Sequence, residues 1–304
     1  MNSAAGAQVI VKIVGGLGNQ LFCYAAARRL ALRTGAELVL DVDFFRSDVR
    51  YERDYRLDML ALGPHRVARS ARWLPRSLDL RWWRVKRRMA LLGWSPGVEA
   101  VIERDAKQFH DELLRKAVSG KVLLDGYWQD ERYFEDIRPT LLQELVPRVT
   151  PVGRNAALGE QLRQGRTAVV HCRRHHHRLA DGSRQQPRGR EGLTAAYYQR
   201  AIQELRVTAG VDAVCLFGDD PGWLEQNVPA NVPRTVVDWN RDPGGEVLDL
   251  WLMTQARHFV VSNSTLSWWG AWLAAAPGAR VIAPRRQDLE YWVPNARDWQ
   301  EIDW

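Results

Sequence analysis

The sequence predicts an α/β protein of two domains, and three observations support this prediction. Short β-branched apolar runs alternate along the chain with stretches of helical periodicity, a pattern typical of α/β folds. With 304 residues, of which 46% are hydrophobic, the chain is long enough to form two domain cores. Proline and glycine cluster between Pro147 and Gly153. We therefore expect domains over residues 1–150 and 151–304, joined at this cluster.

The first predicted unit is a strand, a glycine loop and a helix. Residues 9–14 are predicted as a strand and are apolar except for Lys12, residues 15–20 read GGLGNQ, and helical periodicity extends from near Leu21 to Gly35. This order is typical of the start of a nucleotide-binding fold. Leu21 occupies the position of the third glycine of the dinucleotide fingerprint, and no phosphate-loop lysine follows. The loop therefore allows close approach to its backbone but identifies no nucleotide.

A second strand is predicted over residues 167–170, and it leads directly into His171, Cys172, Arg173 and Arg174. Ligands of parallel sheets bind at the carboxyl ends of the strands. Because neighbouring strand residues point to opposite faces, His171 and Arg173 share a face. We predict that Arg173 enters the pocket and that Arg174 is a structural ion-pair partner. A guanidinium can hold a pyrophosphate through two parallel bonds without a metal ion.

A third strand is predicted over residues 258–261, followed by a helix that extends to Ala276 and stops before Pro277. The intervening residues are rich in hydroxyl groups, so Ser262 or Asn263 is expected to cap the helix. The N–H groups of its first turn are expected to face an anion, aided by three hydroxyl groups, those of Ser264, Thr265 and Ser267. The alternative is a capped core helix, since tryptophans at helical spacing usually pack in a core.

The charge and cysteine content limit the location of the protein. The net charge is +7, and residues 66–94 contain nine Lys or Arg residues and one acidic residue. In helical register this segment has an apolar stripe edged by arginines, so it is expected to contact an anionic membrane from the cytoplasmic side. The alternative is that the stripe packs on the domain. The absence of a signal peptide, of a long apolar stretch and of an even cysteine count predicts a cytoplasmic protein with reduced thiols.

The same basic charge raises the alternative of a nucleic-acid-binding protein. That interpretation does not explain the two strand-end anion sites, and the sequence carries no RNA-binding or helix-turn-helix signature. We therefore expect no nucleic-acid partner.

Five motifs together carry a resemblance to a known family: GGLGNQLF at 15–22, GYWQDERYF at 126–134, HCRR at 171–174, FGDD at 217–220 and SNSTLSWWGAWL at 262–273. In this order they resemble the bacterial α-1,2-fucosyltransferases of glycosyltransferase family 11. The resemblance implies two facing Rossmann-like domains of the GT-B type. It also implies inverting transfer of L-fucose from GDP-fucose to a hydroxyl of a galactose-containing, surface-polysaccharide or lipid-linked glycan. No metal and no cofactor are implied.

The resemblance also implies residue roles in the C-terminal domain, which would hold GDP-fucose. His171 and Asp249 would contact the guanosine, since an acidic residue suits the N1–H and amino donors of guanine. Arg173 would hold the β-phosphate and act in catalysis, and Ser264 and Thr265 would complete the anion site.

The N-terminal domain would bind the acceptor. Asn19, with a catalytic role, and the backbone of Gly18 would reach towards the donor, and the tail over residues 292–304 would cross back over the interface. Asp130 and Glu131 are candidates for the base because of their motif, although salt-bridge roles are an alternative.

In the C-terminal domain, Asp219 and Asp220 match an acidic pair of the family, with capping of the next helix as the alternative.

Two features leave alternatives to the metal-independent enzyme. The family pattern HxRRGDY is replaced here by HCRRHHH, followed by a polar, basic loop, so a sugar-nucleotide-binding protein without catalysis is an alternative. Three histidines in a row could suggest a metal, but sequence neighbours rarely converge on one ion. Asp41-Val42-Asp43 has the form of a DxD metal motif, with turn residues as the alternative.

Overall fold

The computed structural model describes residues 6–47, 53–68, 97–106, 108–174, 177–178, 184–185, 193–228, 231–274, 276–285 and 294–304. The chain divides into two compact units. The first ends at Leu145 and the second begins at Val146, except that residues 59–61 belong to the second unit.

The first unit contains a parallel sheet with the strand order β3-β2-β1-β5-β4. Its described strands are β1 (Gln8–Lys12), β2 (Glu37–Asp41), β3 (Arg66–Ala68), β4 (Val98–Ile102) and β5 (Lys121–Asp125). Its described helices are α1 (Leu17–Thr34), α2 (Phe44–Ser47), α3 (Glu112–Arg115) and α4 (Arg138–Glu144), with short 3-10 helices at Leu57–Met59, Glu131–Tyr133 and Glu135–Ile137.

Helix α1 begins at Leu17, so the prediction of a loop up to residue 20 was wrong. The side chain of Gln20 is completely buried, and its Nε2 donates to Gly15 O at 2.9 Å and to Asp54 O at 2.8 Å. These two contacts, of which the one to Asp54 is long-range, hold the first turn in place although the neighbouring glycines favour a loop. The predicted stop is confirmed, because Gly35 adopts the left-handed conformation that ends the helix.

The second unit contains a parallel sheet with the order β10-β9-β6-β11-β12-β13 and a separate antiparallel pair, β7-β8. Its described strands are β6 (Thr167–Cys172), β7 (His177–Arg178), β8 (Arg184–Gln185), β9 (Ala213–Gly218), β10 (Arg234–Val236), β11 (His258–Val260), β12 (Arg280–Pro284) and β13 (Gln300–Ile302). Its described helices are α5 (Gly153–Arg163), α6 (Ala195–Ala209), α7 (Pro221–Asn227), α8 (Gly245–Thr254) and α9 (Thr265–Ala274).

Strand β6 lies inside the second sheet, between β9 and β11, and all of its residues are buried. A parallel strand covered on both faces has this continuously apolar character, which is why the sequence predicted it. Two parallel sheets with helices confirm the predicted α/β class.

The described part of the C-terminal tail belongs to the second sheet through β13, which pairs with β12. The ring of Trp299 lies 5.8 Å from that of Trp268 on α9, and Trp268 Nε1 donates to Pro294 O at 2.8 Å. The crossing of a domain interface by this tail stays a prediction.

Two predictions concern residues outside the described ranges. One is the predicted membrane contact of residues 66–94, of which only residues 66–68 are described, as β3. The other is the loop that replaces the family's Gly-Asp-Tyr, most of which is not described. None of the helices in the described ranges combines the length and hydropathy needed to cross a membrane. The three cysteines are buried, and no disulfide joins them.

Candidate active site

The carboxyl ends of three neighbouring strands of the second sheet form the candidate site. Strand β6 ends in His171 and Cys172 and leads into Arg173, between the ends of β9 and β11. At the end of β9, a Cβ atom on Gly218 would lie 2.6 Å from the carbonyl oxygen of Cys172. Only glycine allows β6 and β9 to approach this closely where they end.

His171 connects the ends of β6 and β11. Its Nδ1 lies 2.9 Å from Ser262 Oγ, and both side chains are buried. Burial, and next the positive charge of Arg173, lower the pKa of His171 to about 4. The imidazole is therefore neutral at pH 7, with one ring nitrogen that donates and one that accepts.

Arg173 and Arg174 are both held by Asp219, which follows β9. Arg173 Nε lies 3.5 Å from Asp219 Oδ2, and the backbone N–H of Arg174 donates to Asp219 Oδ1 at 2.9 Å. The side chain of Arg173 is 30% exposed. Because a guanidinium carries several N–H donors, its contact with Asp219 through Nε is compatible with a bidentate contact to an arriving anion.

The side chain of Arg174 contacts other residues than Asp219. Its Cζ lies 4.4 Å from the centroid of the Trp223 ring, and its Nη1 donates to Leu193 O at 3.4 Å. These contacts give Arg174 a structural role through an aromatic ring and a carbonyl oxygen. Asp220 caps α7, since its Oδ1 accepts the N–H of Trp223 at 3.0 Å, so the capping alternative is confirmed for Asp220.

The start of α9 differs from the prediction in two details. Ser262 was a predicted cap, but its hydroxyl bonds to His171 and its N–H donates to Ser267 Oγ at 3.1 Å. The hydroxyl of Ser267 was predicted to face an anion. This prediction was wrong, because Ser267 is 1% exposed and its hydroxyl faces the end of the strand. The helix begins at Thr265, and the N–H of Trp268 donates to Ser264 O at 3.0 Å. The hydroxyl groups at the partly exposed helix start are therefore those of Ser264 and Thr265.

Asp249 lies on α8 and is half-buried. Its Oδ1 accepts a hydrogen bond of 2.8 Å from Asn240 Nδ2. Burial raises the pKa of Asp249 to about 7, against the lowering effects of the Asn240 bond and of Arg241, and Glu246 raises it further. A carboxyl group with this pKa changes its charge close to neutral pH.

Sequence reasoning missed three residues that lie behind Asp249: Asn155, Trp239 and Asn240. Asn155 Oδ1 accepts from Trp239 Nε1 at 2.9 Å, and Asn155 Nδ2 donates to Asn240 Oδ1 at 2.9 Å. The two asparagines are separated by 85 residues, and neither lies in a recognisable motif. No pattern in the sequence could have paired them.

In the first unit, the side chain of Asn19 contacts that of Gln129, which follows a residue with unusual backbone geometry. Asn19 Oδ1 accepts from Gln129 Nε2 at 2.9 Å. The preceding residue, Trp128, is fully buried and has a φ angle of 56°, in the left-handed region. The buried carboxylate of Glu103 accepts the N–H groups of Tyr127 at 2.7 Å and of Trp128 at 3.2 Å. Left-handed backbone at a bulky residue often marks a functional site, and Glu103 stabilises it here.

The other predicted residues of the first unit have structural contacts. Gly18 is buried in the first turn of α1. The buried Asp41 accepts the N–H of Asp43 at 3.1 Å, which is the turn role that the sequence offered as an alternative to a metal motif. Asp130 is 7% exposed and accepts the backbone N–H of Arg132 at 3.0 Å and two bonds from its guanidinium.

A solved structure with a similar fold is that of the fucosyltransferase NodZ from Bradyrhizobium. The TM-score is 0.51 and the sequence identity is 15%, over 88% of this chain and 93% of that chain. The two parallel sheets and this similarity define two Rossmann-like domains of the GT-B glycosyltransferase type. The predicted fold class is thus confirmed.

The sequence comparisons then identify the family. The family model of glycosyl transferase family 11 matches residues 87–304, so the chain belongs to that family. An α-1,2-colitosyltransferase of Escherichia coli is 24% identical, over 97% of this chain and 99% of its own length. The galactoside 2-alpha-L-fucosyltransferase SEC1 of Bos taurus is 26% identical, over 60% of this chain and 54% of its own. The resemblance inferred from the motifs is therefore confirmed.

Proposed function

We propose that this family 11 glycosyltransferase transfers L-fucose from GDP-fucose to a hydroxyl of a galactose-containing glycan. The transfer forms an α-1,2 linkage with inversion at the anomeric carbon and uses no metal ion. One observation carries the proposal: Arg173, His171 and the segment that leads into α9 lie at the same edge of the second sheet. There His171 Nδ1 lies 2.9 Å from Ser262 Oγ. This edge offers a guanidinium and a helix N-terminus for a diphosphate.

In this proposal the donor is bound by the second unit. Arg173 holds the β-phosphate together with the helix start at Ser264 and Thr265, and the neutral His171 contacts the guanosine. The ionised form of Asp249 accepts hydrogen bonds from the N1–H and amino group of guanine. Adenine and uracil do not present this pair of donors, so Asp249 would select guanine.

The chemistry follows from the charges that develop during transfer. The bond between fucose C1 and the β-phosphate oxygen breaks, and its electron pair leaves with GDP. The acceptor oxygen forms the new bond to C1 and loses its proton. Donors fixed around the β-phosphate, above all Arg173, therefore stabilise the transition state more than the ground state. Asn19 is proposed to act on the acceptor side. Asp130 is poorly suited as a base because Arg132 already neutralises its carboxylate.

Colitosyl transfer is a second candidate, because the Escherichia coli relative with that name matches 97% of this chain. Colitose is L-fucose without its 3-hydroxyl group, so the proposed nucleotide site would serve both donors. Product formation from GDP-fucose, compared with GDP-colitose, distinguishes the two functions. Measurable transfer from either donor would exclude the alternative of a binding protein without catalysis.

Thermal unfolding with GDP, UDP and ADP in a buffer that contains EDTA tests the donor assignment. GDP is expected to raise the midpoint more than UDP or ADP, because only guanine would meet Asp249. A ligand at about 100 times its Kd stabilises the folded state by about 2.7 kcal/mol. Equal stabilisation by the three nucleotides would contradict the assignment to guanosine. A GDP effect that requires added Mg²⁺ would contradict the metal-free site.

We further propose that residues 66–94 bring the enzyme to the cytoplasmic face of a membrane that carries its acceptor. The support is the segment's nine Lys or Arg residues against one acidic residue. Sedimentation with vesicles that contain anionic lipid is expected to remove the protein from solution at low salt, whereas neutral vesicles should not. Equal recovery with both vesicle types would contradict membrane contact.

A further inference from the structure

Four side chains form a continuous hydrogen-bonded chain in the second unit. It joins α5 to the loop after β10 and then to α8, in the order Trp239, Asn155, Asn240 and Asp249. Asn240 Nδ2 donates both to Asp249 Oδ1 at 2.8 Å and to Asn155 Oδ1 at 3.2 Å. Asn155 is 8% exposed, so water competes little for the hydrogen bonds of its amide.

The chain allows one orientation for each amide. The indole N–H of Trp239 can only donate, so Asn155 Oδ1 must face it. Asn155 Nδ2 then faces Asn240 and requires an acceptor there, which places Asn240 Oδ1 towards Asn155. The amide nitrogen of Asn240 then donates to Asp249 Oδ1 at 2.8 Å and, over a longer distance of 3.2 Å, to Asn155 Oδ1.

We propose that Asn155 is a positioning residue for nucleotide binding, because it holds Asn240 in the orientation that favours the ionised carboxylate of Asp249. This inference rests on the proposed contact between Asp249 and guanine. If the amide of Asn240 turned over, its oxygen would face Asp249 and would favour a protonated carboxyl group as the donor. A protonated carboxyl group has lost an acceptor position and cannot accept both guanine donors equally well.

The backbone around this chain is closely packed, which supports a fixed geometry. A Cβ atom on Gly245 would lie 2.2 Å from the carbonyl oxygen of Asn240, so the loop contacts the start of α8 directly. On the other side, the guanidinium of Arg154 lies 3.9 Å from the centroid of the Trp239 ring. The side chain that begins the chain of hydrogen bonds is thus held in place as well.

Charged and titratable groups face Asp249 from three elements. Arg241, in the loop after β10, lowers its pKa, and Glu246 on α8 raises it. Cys215 on β9 stays neutral, since burial raises the pKa of its thiol. Burial of Asp249 is the largest effect and brings its pKa to about 7, so a single hydrogen bond is enough to change its charge near neutral pH.

The test is the affinity for GDP, measured by calorimetry at a series of pH values below and above 7, for the wild type and Asn155→Ala. In the wild type the affinity is expected to fall as the pH drops below about 7, because Asp249 takes up a proton. Loss of one oriented hydrogen bond should move this midpoint upwards by about 0.4 to 1.1 pH units. Affinity at pH 7 would fall about twofold to sevenfold and recover at higher pH.

Asn227→Ala is the matched control. Asn227 Nδ2 donates to Trp223 O at 2.9 Å on α7, so this variant also removes one asparagine hydrogen bond of the second unit. It should change the thermal midpoint without moving the pH midpoint of GDP binding. A general loss of affinity at every pH in Asn155→Ala, with an unmoved midpoint, would overturn the positioning role.

The Asp249→Asn background separates this inference from the proposed function. There, Asn155→Ala should have no pH-dependent effect on binding.

If the wild type binds no GDP at any pH, the proposed function fails, but the titration of Asp249 remains measurable from the pH dependence of unfolding. An ionisable group with a raised pKa stabilises the folded protein as pH falls from about 7 towards 3.8, and Asp249→Asn removes this gain. The window should extend to higher pH in Asn155→Ala, and an unchanged window would refute the inference.

Discussion

Replacement of Arg173 by alanine is expected to slow fucosyl transfer about 30- to 1,000-fold, which corresponds to about 2 to 4 kcal/mol of transition-state stabilisation. The guanidinium follows the carboxyl end of β6 and is oriented by Asp219, whose Oδ2 lies 3.5 Å from Arg173 Nε. It therefore costs little reorganisation when the β-phosphate gains charge. The measurement is kcat/KM for transfer from GDP-fucose, with kcat at saturating donor to isolate the chemical step.

Two variants make this result specific. Arg173→Lys keeps the charge but loses the planar fork, so it should recover only part of the rate. Arg166→Ala removes an exposed arginine, paired with Asp212, next to the opposite end of the same strand, and should leave the rate within about threefold of the wild type. If Arg173→Ala also stays within threefold, Arg173 has no part in the mechanism.

The second large effect is expected from Asp249→Asn, which should weaken GDP binding about 10- to 150-fold. The carboxylate would accept two guanine donors, and an amide presents its own N–H groups to one of them. Hydrogen bonds to a charged group contribute about 1.5 to 3 kcal/mol, which sets this range. Calorimetric titration above pH 7, where the wild-type carboxylate is ionised, is the appropriate measurement.

Asp249→Asn is also expected to reduce the selectivity for guanine. The ratio of the affinities for GDP and ADP should fall in Asp249→Asn because guanine loses its partner while the diphosphate contacts stay. Asp212→Asn, at the opposite edge of the second sheet and exposed, serves as the matched control and should leave the ratio unchanged. An equal loss of GDP and ADP affinity in Asp249→Asn would place Asp249 outside the base-binding site.

Much of the fold and part of the candidate site followed from local patterns. The apolar runs predicted β6 and β11 because a strand buried on both faces must be apolar throughout. The polar residues after such strands, Arg173 among them, had to lie at a common sheet edge because parallel strands end on the same side. The hydroxyl-rich segment before α9 predicted the start of that helix.

Local patterns failed where a distant residue decides the outcome. The start of α1 was misplaced because its position depends on Gln20, which is held by the carbonyl groups of Gly15 and Asp54. Ser262 has the composition of a helix cap, yet its hydroxyl bonds to His171 from another strand. Capping propensity is a local preference, and a buried imidazole that requires a partner outweighs it.

The sequence by itself determined the α/β class, the two strand-end motifs and the family. Only the tertiary structure decided which polar groups meet: Asp219 with both arginines, Asn155 with Asn240, and Glu103 with the left-handed backbone at Trp128. The physical reason is that apolar periodicity repeats along a segment and is visible in it, whereas a hydrogen bond joins two groups whose separation in sequence carries no pattern. Strand order and close packing bring such groups together.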